Sequence, residues 1–296
     1  MEVRTFSNLR RPGVGLPPRR ESSRPLLPQH ARHCPVLEAG STLGFMVYAP
    51  LEPKESVYVE HEGDGRYRFV YYLKTEGGRP TPLFQVTMSL SVGGVGMMKE
   101  DVAFVGAPML SREAALAVMR AFLVPEDMGT PAGAVALRAA TNFQSPPGWD
   151  TVYTSILNMI ERPVAPMLAV RIETDWYAHE TEFRYVLQAG EGMTLEHSLP
   201  IGQVFFVPRE PVTLRACTEA ELKSLEVARQ EFHQQKGAVT QQTPYGLSYS
   251  PHYLRQSRAQ KEEKLAGGAA LRAVGRVRRV GKTKGRPCGR PLVSRV

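Results

Sequence analysis

Short runs in which apolar and polar residues alternate dominate the first half of the chain. LGFMVYA (43–49), SVYVE (56–60), YRFVYYL (67–73) and LFQVTMSL (83–90) are rich in aromatic and β-branched residues, and Gly, Pro or acidic turn residues bound each one. That pattern predicts four strands in a meander or one sheet of a sandwich. EGDGR (62–66) supplies the hairpin signal, because Asp-Gly adopts the positive φ that such turns need. DVAFVG (101–106) predicts a fifth strand after the flexible connector SVGGVGMMKED (91–101). Further strands are expected near 134–139, 168–174, 182–188 and 202–207.

Two segments break this period. SREAALAVMRAFL (111–123) repeats its apolar residues at helical spacing, with Ser111 placed to cap it and Pro125 to stop it. A second helix is predicted from about Glu219 to Lys236, where Thr218 and Glu221 have the spacing of a capping box and Gly237 follows. The fold class that results is mostly β, a β-sandwich, jelly-roll or cupin-like domain with two peripheral α-helices.

Gly 26 and Pro 24 in 296 residues fit many turns and short strands, and 42% hydrophobic residues suffice for a core. The net charge of +8 is uneven. Residues 1–34 hold seven Arg against Glu2 and Glu21, and residues 265–296 hold nine Lys or Arg with no acid. The ends therefore carry +14 while the whole chain carries +8, which leaves −6 for the segment between. The expected organisation is an Arg/Pro-rich arm (1–35), a β-rich domain (36–237), a tyrosine-containing docking segment (238–264) and a basic tail (265–296). Both ends are expected to be extended or disordered, since such compositions bury too little to offset ordering entropy.

Cys34, Cys217 and Cys288 are odd in number and lack CxxC spacing, which argues against a disulfide framework or zinc ribbon and for a reducing compartment. No signal-like leader and no run of about 18 apolar residues is seen, so a cytoplasmic protein with no membrane partner is expected.

Residues 141–209 gather most of the candidate chemistry. PPGW (146–149) is a stiff turn that presents Trp149 beside Asp150; with Asp175, Trp176 and Tyr177 it forms the expected ligand-binding set. Glu173, Asp175, His179, Glu180 and Glu182 form the densest ionisable cluster. A two-His, one-carboxylate site for iron could draw on Asp175 and His179 with His197 as distant partner, although the usual His-x-Asp or His-x-Glu pattern is missing. His30, His33 and Cys34 are compact but lack further ligands for a closed zinc site; either chance clustering or Cys34 entering the core beside Val36 and Leu37 is expected instead. GKTK (281–284) lacks the earlier glycine of a phosphate loop, where Arg276 stands. RVRRVGKTKGR could neutralise nucleic-acid phosphates, but no aromatic residue follows Leu265 to stack on bases.

HCPVLEAGSTLGFMVYAPL, NFQSPPGWDTVYTSILN, IETDW and LPIGQVFFVPR together resemble a bacterial family known only as a domain of unknown function. Its pattern is Cys-Pro-Pro before a Gly-containing strand, Pro-Pro-Gly-Tyr, Asp-Trp and a closing Gly-x-Pro-x-x-Gln strand. The resemblance spans about residues 30–215. Trp149 replaces the usual Tyr, and the closing strand reads Pro200, Ile201, Gly202, Gln203. The resemblance implies no agreed catalytic residue and no established activity. Three functions follow, in this order: a metal-free sandwich binding a small molecule or partner protein without cofactor, an iron-dependent jelly-roll enzyme, and nucleic-acid association through the basic tail.

Overall fold

The computed structural model describes residues 2–20, 34–74, 78–90, 99–106, 110–158, 167–242, 246 and 248–262. The chain forms two compact units, 1–212 and 213–296. The first is mostly β. Its largest sheet is antiparallel, with β3 (Glu55–Gly63), β4 (Arg66–Lys74), β5 (Pro80–Ser89) and β6 (Lys99–Phe104) as a meander and β13 (Glu191–Glu196) added beside β3. The turn from β3 to β4 uses Asp64 at φ 49° and Gly65 at φ 69°, as the Asp-Gly signal predicts.

Alternation sends Val57, Val59, Tyr67, Phe69, Tyr71, Phe84, Val86 and Met88 to one face, where all are buried. The helix α2 (Arg112–Phe122) lays Ala115, Met119 and Phe122 into the same cluster, and its N-cap Ser111 Oγ accepts the Ala114 N–H at 3.1 Å. Phe69, Tyr71, Phe84 and Phe122 meet there with ring centroids 5.3–6.4 Å apart.

The opposite wall comes from two smaller sheets. One orders β10 (Met167–Leu168), β12 (Glu182–Val186) and β7 (Ala134–Arg138); the other orders β11 (Val170–Ile172), β9 (Trp149–Thr154), β14 (Pro200–Pro208) and β2 (Phe45–Tyr48). Val135, Leu137, Tyr153, Phe183, Tyr185, Ile201 and Val204 join the five-stranded sheet's residues in a single apolar cluster. A β-sandwich with peripheral helices is therefore the fold. Gly202 has a packing reason: a Cβ there would overlap the Phe183 ring, so the strand must be bare where β12 crosses it.

Residues 2–20 of the expected N-terminal arm are built into the domain rather than loose. β1 (Arg4–Ser7) pairs with β8 (Thr141–Gln144), and Asn8 donates to Ala139 O at 2.9 Å. Arg11 reaches Glu55 in a bidentate pair at 2.8 and 2.9 Å, while the Tyr71 hydroxyl also donates to Glu55. Residues 21–33, with His30 and His33, lie outside the described residues. Cys34 precedes the short helix α1 (Pro35–Ser41) and is half-buried with a free thiol. Val36 and Leu37, expected to enter the core beside it, are 54% and 36% exposed instead, because the run coils as a helix after Pro35.

The Arg11–Glu55 pair leads to a stability prediction. Arg11→Ala should cost about 1.5 kcal/mol, since it strands a carboxylate that is largely buried but keeps Tyr71 as a donor. Urea unfolding checks this; an unchanged midpoint would show that the Arg11–Glu55 pair adds nothing to the domain.

The second unit contains α3 (Glu219–Ala238), a small hairpin of β15 (Gln241–Gln242) and β16 (Ser248–Tyr249), and a helical segment 252–262. Thr218 and Glu221 form the capping box read from the sequence. The helix thus lies outside the compact β unit, which ends at Val212 rather than near residue 237. Tyr245 of the expected docking segment, the connector 91–98 and the basic tail lie outside the described residues. No described helix is long and apolar enough to cross a membrane.

Candidate functional site

Two charged networks lie side by side along β9, β11 and β12, and they differ in kind. The first is saturated with partners. Asp150, 2% exposed at the start of β9, accepts from Arg171 Nε at 2.6 Å on one oxygen and from Arg209 Nε and Nη2 at 2.8 and 2.7 Å on the other. Arg209 Nη2 also reaches Asp175 at 2.6 Å, and the second Asp175 oxygen accepts the Gly148 N–H at 2.9 Å. The PPGW turn, the Asp-Trp turn and the end of the closing strand are thereby clasped together.

Burial alone would raise the Asp150 pKa, but the two guanidiniums hold it below the ordinary carboxylate range. Arg209 and then the Gly148 N–H lower that of Asp175. Gln203 on β14 plays a comparable fastening role: its amide donates to Leu43 O and accepts the Leu157 N–H at 2.9 Å. These groups have partners on every side, so their chemistry is committed to holding loops.

The second network is not saturated. Arg138, 5% exposed on β7, pairs with Glu180 and stands 3.2 Å from Glu182 on β12. His179 Nε2 lies 4.0 Å from the other Glu182 oxygen. The hydroxyls of Tyr153 and Thr181 are buried in residues that are 0% exposed; they lie close enough to act on one another, and neither makes a hydrogen bond of full geometry among the described residues. Asn142 fixes the loop by accepting the Thr181 N–H at 2.6 Å and donating to Ser7 O at 3.0 Å.

Burial pushes the Glu182 carboxyl up to about 7, with Arg138 opposing and Asp127 and Glu180 adding to the rise. Burial also depresses the His179 imidazole below its usual value and pushes Tyr153 up to about 12. A carboxyl and an imidazole so shifted both favour their neutral forms, 4.0 Å apart. Perturbed groups of this kind mark functional sites more often than chance.

An aromatic row leads outward from this cluster. The His179 ring meets Tyr153 edge-on at 6.5 Å and stacks on Tyr177 at 5.4 Å; Tyr177 meets Trp176 at 5.7 Å. Trp176 is 70% exposed and Tyr177 49%. The Trp176 indole N–H donates to Glu173 at 2.5 Å, which fixes the ring while leaving its faces to solvent.

Of the sequence-predicted ligand residues, Trp176 and Tyr177 form this row. Trp149 is half-buried where β9 begins, and Asp175 is occupied inside the clasp. The candidate metal set is not brought together. Asp175 is held by Arg209, His179 faces Glu182, and His197 sits in the turn between β13 and β14. Among the described residues no three His, Cys, Asp or Glu side chains converge as metal ligands. Sequence reasoning misses Arg138 and Tyr153, yet one signal exists: an arginine inside the apolar run AVALRAA must find acids if it is buried. No family model, curated protein or solved structure matches the chain.

Proposed function

We propose that the β domain is a metal-free recognition module, and that its ligand, a small molecule or a partner protein's side chain, stacks on the Trp176–Tyr177–His179 row. The observation that carries this reading is the exposure of two adjacent large aromatic rings, Trp176 at 70% and Tyr177 at 49%. Rings of this size are apolar on the face and polar at the edge, and they recur at recognition surfaces for that reason. Glu173 orients one of them at no cost to its face. The saturated clasp beneath supplies rigidity, since Asp150 and Asp175 fix both turns.

The second reading, an enzyme, draws on a separate observation: Glu182 and His179 are 4.0 Å apart near the buried Tyr153 hydroxyl, whose neighbours are the hydroxyls of Thr181 and Thr151. That arrangement suits proton transfer without metal. An iron centre on Asp175, His179 and His197 would first have to free Asp175 from Arg209 and Gly148.

The test is a binding screen of the full chain against neutral oligosaccharides, aromatic small molecules and peptides, followed by Trp176→Ala and Tyr177→Ala. Both positions are exposed, so the variants should fold normally and lose about tenfold or more in affinity for whatever the wild type retains. Undiminished binding by both variants would remove the row from recognition.

A further inference from the structure

The helix α3 presents a problem of its own. An isolated helix of this length gains most of its stability by packing one face. Yet α3, with its capping box complete, has no buried residue along its 20 positions. Leu222 and Leu225 are 48% and 59% exposed. At 3.6 residues per turn they share a face with Arg229 and Phe232. Beside Phe232 lies a cleft of about 340 Å³, lined also by Tyr253, Gln256, Ser257, Gln260 and Lys261.

We infer that the second unit is a self-association module in which α3 pairs antiparallel with α3 of a second copy, each Leu222 entering the partner copy's cleft beside Phe232. The order of charges along the helix singles out this occupant. In a two-fold pair centred between Val227 and Ala228, Glu219 lies opposite Lys236, Glu226 opposite Arg229, and Leu222 opposite His233, one residue from Phe232. Each relation occurs twice, as an isologous interface requires. A parallel pair would instead set Glu226 against Glu226 and Arg229 against Arg229. The Glu226–Arg229 pairs lie nearest the two-fold and the Glu219–Lys236 pairs at the ends, with the apolar Leu222–Phe232 contacts between them. Lys261 at the cleft adds a cation where the acidic first turn of the incoming helix arrives.

Sedimentation velocity on the full chain decides this. Wild type should be a concentration-dependent dimer, and Leu222→Glu should raise its dissociation constant about tenfold or more without loss of helix by circular dichroism. Glu226→Arg should weaken the dimer similarly, because it sets a second guanidinium against Arg229 of the other copy, whereas E226R/R229E should restore it to within about threefold. A wild type that stays monomeric at every soluble concentration overturns the proposal. So does a dimer indifferent to Leu222→Glu, or a charge swap that fails to restore what Glu226→Arg lost.

Discussion

Gly133→Ala is expected to lower the unfolding free energy by about 3–4 kcal/mol, a large effect for a single added methyl, because two independent costs coincide there. Gly133 sits at φ 83°, a left-handed conformation that costs an alanine about 1–2 kcal/mol. The new Cβ would also overlap the Leu187 carbonyl oxygen, which is backbone and has no rotamer to retreat into. That carbonyl is already engaged: it bonds His61 Nδ1 at 3.1 Å, while Leu187 N–H donates to Gly133 O at 2.9 Å and Gly133 N–H to the Tyr67 hydroxyl at 3.2 Å. Moving it disturbs hydrogen bonds worth about 1 kcal/mol each.

The location explains why the damage should spread. His61 and Tyr67 belong to β3 and β4 of the five-stranded sheet and stack at 4.8 Å, whereas Gly133 and Leu187 flank β7 and β12 of the three-stranded sheet. Gly133 is therefore a seam between the two walls of the sandwich. Denaturant unfolding of the variant beside Gly190→Ala gives the control, since Gly190 has a similar φ of 80° but nothing within 4 Å of an added Cβ. If both variants lose the same amount, strain at φ accounts for everything and the seam argument fails.

The strands of the large sheet can be read from the chain because each has one face in the core and one in solvent. Val57, Val59, Phe69, Tyr71, Phe84 and Val86 are buried with period two, and the Asp64-Gly65 turn declares itself. β9 and β13 leave no such trace. Trp149–Thr154 mixes Asp, Thr and Tyr because its polar residues are consumed in the clasp and the hydroxyl cluster, so alternation is hidden. Glu191–Glu196 follows a Gly and carries Gly192 within it, which weakens the strand signal although Met193 and Leu195 are buried.

The candidate site is legible in the sequence only as a neighbourhood. Sequence proximity groups Glu173, Asp175, His179, Glu180 and Glu182, but the fold sorts them into two networks by partner. Asp175 and Glu173 go with Arg209, Glu180 and Glu182 with Arg138. Asp175 is 34 residues from its arginine and Glu180 is 42 from its own, and no local pattern encodes a contact made by strand pairing at that distance.

Glu182→Gln should change how stability depends on pH, and the sign follows from the direction of two shifts. The Glu182 carboxyl titrates near 7 in the fold against 4.5 for an ordinary glutamate. Between those values the native state keeps a proton that the unfolded chain releases, so stability falls as pH rises and the whole penalty is present above about pH 7. Converted in full, the shift is about 3 kcal/mol; with 14% of the side chain still exposed, about 2 kcal/mol is the expected size. His179 acts in the opposite sense. Its depressed pKa means that the unfolded chain binds a proton which the native state refuses, so its contribution rises with pH until about 6.5. The two slopes oppose each other in wild type on the acid side of neutrality. Glutamine removes the carboxyl's slope and leaves that of His179, while its amide oxygen still faces Arg138. Relative to wild type, the variant should gain about 2 kcal/mol on passing from about pH 4.5 to about pH 8. Urea unfolding of both proteins across that range is the measurement. Parallel curves would mean that Glu182 is ionised in the fold at neutral pH, and the neutral acid–imidazole pair behind the aromatic row would be lost with it.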